Sequence, residues 1–146
     1  MKPEEKKADK TYILELTDAQ AKLVETALEE YFRLRMGQYF DFADEMAFQG
    51  FNYKEHTDEE FDERMKRKER LQAHLEKMKT IIWPPFGFIN KKTEEQENAI
   101  DIWHVIRHVR YLANGGDING MTTAASRPFQ CGTEPLPKMR VKEAEK

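Results

Sequence analysis

Three capping boxes set where this chain can start a helix. Thr17 with Gln20, Thr57 with Glu60 and Thr93 with Gln96 each place a threonine three residues ahead of an amide or carboxyl side chain. In that arrangement the hydroxyl and the returning side chain satisfy two orphan amides of a helix N-terminus. Apolar residues follow each box at three- and four-residue spacing, the period of a helix with one buried face. The stops are equally legible. Gly37 can take the left-handed conformation that ends a helix, Pro84 and Pro85 cannot donate the next backbone hydrogen bond, and Asn114, Gly115 and Gly116 close the last segment. Between the first two boxes Tyr39, Phe42, Ala43, Met46 and Ala47 recur helically as far as Gly50.

These signals predict a mainly α protein, a single-domain helical bundle of about four helices at about 18–36, 38–49, 58–82 and 94–113. Tyr12, Leu14 and Leu16 alternate with Ile13 and Glu15, which predicts a short extended segment ahead of the bundle. From Met121 onward the chain is rich in Thr, Ser, Pro and Gly and reads as an irregular strap with room for one short strand. Residues 1–10 form a mixed-charge run read as a disordered arm, 11–137 the helical domain, and 138–146 a mobile basic tail.

A length of 146 residues suits one domain with one core. The net charge of −3 argues against broad nucleic-acid coating. The lone Cys131 can form no intramolecular disulfide and no cysteine-based zinc framework, which points to a reducing interior. There is no apolar run of about 20 residues to span a bilayer, and the charged start does not look like a signal peptide. The expected location is therefore cytoplasmic.

Two arginines fall where a helix should be apolar. At 100° per residue, Arg110 lies between Trp103 and Ile106 on the face that also holds Val105, Val109 and Leu112. Arg35 falls among Leu23, Val24, Ala27, Leu28 and Tyr31. A guanidinium cannot lose its charge, so an inward-facing one needs a carboxylate, carbonyls, water or an anionic ligand. Each alone is explained by a salt bridge or by snorkelling at a helix C-terminus. Should the two converge, they make a phosphate-binding fork, with Trp103, His104, His108, Tyr31 and Tyr111 placed to stack or hydrogen-bond.

Asp101, His104 and His108 stand one turn apart, a spacing compatible with a metal. No fourth ligand is evident, so no metal is expected, and the plainer reading pairs Asp101 with His104 on a solvated face. The run Lys66, Arg67, Lys68 and Arg70 reads as exposed helix surface, neutralised by Glu63, Glu69 and the acidic first turn of its helix. No Walker loop, dinucleotide fingerprint, nucleophile elbow or Cys-His arrangement is present, and neither enzymatic activity nor a cofactor is expected. The seam Phe61, Met65, Leu71, Leu75, Met78 and Ile82, with the aromatic segment Trp83 to Phe88, offers more apolar surface than a small bundle covers, which predicts a homo-oligomer.

The stretch Leu14-Glu-Leu-Thr-Asp-Ala-Gln20, then Met36-Gly-Gln38, the helix Ala99-Ile-Asp-Ile-Trp-His-Val-Ile-Arg-His108 and Glu134-Pro-Leu-Pro-Lys138 resemble a family of small proteins encoded by bacterial viruses. The resemblance spans most of the folded region and is weakest from Phe48 to Lys77. It implies no catalytic residue. At the level of class it is similar to non-enzymatic anti-defence proteins that sequester a nucleotide immune signal, which would give Arg35 and Arg110 an anionic nucleotide as ligand. The alternative is an oligomeric helical interaction module that inhibits a host protein or supports viral replication.

Overall fold

A computed structural model describes residues 10–82 and 92–142. Its helices are α1 (Asp18–Arg35), α2 (Phe40–Ala47), α3 (Asp58–Ile82) and α4 (Glu94–Ala113). The arm at 1–9, the aromatic segment from Trp83 to Phe88 and the last four residues of the tail lie outside the described residues.

All three capping boxes form. Thr17 Oγ1 accepts the Gln20 amide at 3.2 Å while Gln20 Oε1 accepts the Thr17 amide at 2.9 Å. Thr57 with Glu60 and Thr93 with Gln96 make the same reciprocal pairs. α1 closes on Gly37, whose φ of 72° lets its amide reach the Leu34 carbonyl at 3.1 Å. That turn occupies residues 36–39, so α2 is shorter than the apolar pattern predicts.

α1 and α4 run antiparallel. Asp18 at the start of α1 meets Arg110 near the end of α4, and the Tyr31 hydroxyl near the end of α1 reaches Glu95 in the first turn of α4 at 3.4 Å. Phe32 and Trp103 meet edge to face between them, centroids 5.3 Å apart. α2 lies along α3, and an aromatic cluster closes their end: Phe48 contacts Phe51, Tyr53 and Phe61 at centroid distances of 5.3, 5.8 and 5.6 Å. Among the helices, the two pairs meet only where α1 touches α2.

This topology explains why α3 buries no residue. α2 has 8 residues and α3 has 25, about 12 Å against about 37 Å of axis. Met65 and Leu75 of the seam are half-covered, while Phe61, Leu71, Met78 and Ile82 remain exposed.

No strand occurs among the described residues, so the expected short strand of the strap does not form. Several strap amides instead donate to side chains of α4, leaving no ladder to build. Glu134 donates to Asn98 Oδ1 at 3.2 Å, and Gly132 lies directly against the same residue. A Cβ on Gly132 would overlap the Asn98 side chain and come 2.9 Å from its backbone nitrogen. Gly132→Ala is therefore expected to destabilise by about 1–3 kcal/mol, the usual range for overpacking. In urea titration this is a lower midpoint at unchanged slope; an unchanged midpoint would mean that the strap is not seated here.

Candidate functional site

The polar face of α4 is a seat for the strap. Asp101 is 3% exposed, and its carboxylate accepts the Cys131 amide at 3.0 and 3.1 Å and the Gly132 amide at 2.9 Å. One turn on, His104 Nε2–H donates to the Thr123 carbonyl at 3.1 Å, and a further turn on, His108 Nδ1–H donates to the Ala124 carbonyl at 2.8 Å. A ring nitrogen facing a carbonyl must carry the proton. The expected Asp101–His104 pair on a solvated face is thus corrected: both residues are buried, because residues 123–132 lie over them. Partial burial, together with the Asp101 carboxylate, raises the Cys131 thiol above its ordinary range, which keeps it protonated and a poor nucleophile.

The arginines do not converge. Arg110 is clamped by two carboxylates of α1, with Nε and Nη2 on Asp18 at 2.9 and 3.1 Å and Nη1 on Glu25 at 2.6 Å. Its hydrogen bonds to Asp18 push the guanidinium above its already high range, and the same contact holds the Asp18 carboxyl below its ordinary one. Arg35 is exposed at the other end of α1, 4.5 Å over the Tyr31 ring. The nearer partner of Arg110, Glu25, is ten residues before Arg35, roughly 15 Å along the axis. The wheel puts Arg35 on the apolar stripe, yet its side chain is exposed and lies back over Tyr31, one turn before it.

The other candidates are likewise engaged internally. Trp103 is buried under Phe32 with Arg107 5.0 Å from its ring, and its indole N–H has no acceptor among the described residues. The Tyr111 hydroxyl bonds both the amide and the carbonyl of Asp117 at 3.1 Å, pinning the turn after α4. Among the described residues, Arg35, Tyr31, Trp103, His104, His108, Arg110 and Tyr111 are therefore not gathered into one site: Arg35 stands apart from Arg110, and the two histidines face the strap. Sequence reasoning missed Asp18 and Glu25, whose only signal was their place at the first position of α1 and about two turns further on.

A cleft of about 300 Å³ opens between α1 and α2, lined among others by Glu29, Glu30, Arg33, Asp41, Asp44 and Glu45. Among the described residues, no group of His, Cys, Asp and Glu is arranged to hold a metal ion. The Glu45 carboxyl is pushed up to about 7, first by its hydrogen bond with Glu30, then by partial burial and by the charges of Glu30, Asp41 and Glu29.

One surface that is exposed among the described residues is the outward face of α3. Lys66, Arg70, His74 and Lys77 are exposed and fall within an arc of about 80°. Beside them run Leu71, Met78 and Ile82, exposed by 36, 45 and 51%. The expected neutralisation of the basic run is partial. Arg67 pairs with Glu63 at 3.7 Å and Lys68 with Asp44 of α2 at 2.6 Å, but Lys66, Arg70 and Lys77 have no carboxylate in ion-pair range among the described residues. No helix is long and apolar enough to cross a membrane among the described residues.

Comparison with protein-family models, with curated proteins and with solved structures finds no match for this chain.

Proposed function

We propose that this chain is a non-enzymatic interaction module that binds a host protein through the outward face of α3. The observation that carries the reading is a 25-residue helix with no buried residue, whose outer surface sets unpaired cations beside an apolar stripe. Such a surface suits an acidic amphipathic helix, its apolar anchors on Leu71 and Met78 and its carboxylates on Lys66, Arg70 and Lys77. In the viral setting implied by the resemblance, the module would act by occupying its target. Sequestration of a nucleotide by Arg35 and Arg110 is the weaker reading, because Arg110 is already neutralised by Asp18 and Glu25 and Arg35 stands apart.

The test is capture from host lysate followed by reconstitution with the purified captured protein. Leu71→Glu/Met78→Glu is expected to weaken that complex at least about tenfold, the effect of losing about 1.4 kcal/mol at an interface centre, while Arg35→Ala leaves it intact. Undiminished binding by the double variant would overturn the assignment to α3. So would a stable homodimer that the double variant dissociates, which would give this face to a second copy.

A further inference from the structure

The outward face of α3 carries its charges in order. Glu59, Asp62, Glu63, Lys66, Arg70 and Lys77 are all exposed and fall within an arc of about 100° on the helix. The carboxylates come first and the cations after them, so a single stripe about 27 Å long changes sign between Glu63 and Lys66. The macrodipole of α3 accounts for only part of this order. It favours Asp58, Glu59 and Glu60 in the first turn and Lys79 in the last, but its effect falls off within a turn. Asp62, Glu63, Lys66 and Arg70 lie beyond that reach. Internal pairing leaves most of the stripe free. Glu63 meets Arg67 at 3.7 Å, and Glu76, at the stripe's edge near Glu69, is taken by Lys79 at 2.9 Å. Glu59, Asp62, Lys66, Arg70 and Lys77 have no opposite charge in ion-pair range among the described residues.

Such a stripe is matched by a helix with cations at one end and carboxylates along the rest, its apolar face on Leu71 and Met78. An amphipathic helix is itself most stable with carboxylates near its N-terminus and cations near its C-terminus. Laid parallel on α3, that helix would set its carboxylates on Glu59 and Asp62 and its cations on Lys77. Laid the other way, it meets opposite charge along its whole length, and the two macrodipoles lie antiparallel, their favourable side-by-side arrangement. We propose that the partner's segment is a bipolar helix, acidic toward its N-terminus and basic toward its C-terminus, docked antiparallel to α3. The orientation rests on the docking role of α3 and adds to it the partner's cations, placed on Glu59 and Asp62, and the direction of its chain.

The probe is a synthetic amphipathic helix of about 20 residues, enough to cover the stripe, with a leucine face, glutamates in its N-terminal half and lysines in its last turn. Bound to the full chain, a nitroxide at the peptide's N-terminus is expected to broaden the amide signals of Lys77 and Ile81 and to spare those of Glu59 and Asp62. Asp62→Lys/Glu63→Lys, both past the first turn of α3, should weaken binding at least about fivefold at low salt and less at high salt, with helix content by circular dichroism unchanged. Broadening centred on Glu59, equal broadening at both ends, undiminished binding by Asp62→Lys/Glu63→Lys, or no binding of the peptide would overturn the antiparallel bipolar partner. The docking role of α3 survives each of these results as long as Leu71→Glu/Met78→Glu still weakens the complex with the captured host protein. Undiminished host binding by that variant overturns face and orientation together.

Discussion

Asp101→Ala is expected to release the C-terminal strap and to destabilise the protein by about 3 kcal/mol. The carboxylate is 3% exposed and accepts two backbone amides, those of Cys131 and Gly132, through three contacts between 2.9 and 3.1 Å. Hydrogen bonds to a charged acceptor contribute about 1.5–3 kcal/mol each, and solvent reaching the freed strap recovers part of their sum. For a chain of this size the loss is a fall in melting temperature of roughly 10 °C. Hydrogen exchange makes the reading specific: the Cys131 and Gly132 amides should lose protection while those of α1 keep theirs. Asp101→Asn, which keeps an acceptor but loses the charge, should fall between. A melting temperature within about 2 °C of the parent for Asp101→Ala would show that the strap is held by something other than this carboxylate.

Arg110→Ala is expected to destabilise by about 2–4 kcal/mol, because it leaves a buried carboxylate without its main counter-ion. Glu25 is 4% exposed and would keep only Lys22 at 3.1 Å. Replacing both sides, as Arg110→Met with Glu25→Leu, should recover most of the loss, since two apolar groups of similar volume remove the unpaired charge as well as the pair. The acid limb carries an independent signature. Asp18 sits below its ordinary 3.8 because of its hydrogen bond with Arg110. A depressed carboxyl contributes stability that is fully present above that value and disappears as pH falls through the folded one. In Arg110→Ala this part of the acid dependence should vanish. If Arg110 served a ligand instead, Arg110→Ala would melt like the parent, and the double replacement would rescue nothing.

The sequence by itself determined where α1, α3 and α4 begin and where α1 ends. Those events rest on interactions within four residues: Thr17 with Gln20, Thr57 with Glu60, Thr93 with Gln96, and the left-handed turn at Gly37. The tertiary structure alone decided what the polar side chains of those helices do. Arg110 finds its carboxylates 85 and 92 residues away, and Asp101 finds its amides 30 and 31 residues away. No local spacing encodes such distances. Helical periodicity also placed Arg35 and Arg110 on equivalent apolar stripes, yet one is exposed and the other is clamped. The difference lies in what each guanidinium meets: Arg35 is exposed over the Tyr31 ring with no carboxylate in ion-pair range among the described residues, whereas Arg110 lies against Asp18 and Glu25 where the start of α1 meets the end of α4. The seam of α3 follows the same logic. Its apolar residues are written in the sequence, but their exposure is set by a neighbour of 8 residues that cannot cover 25.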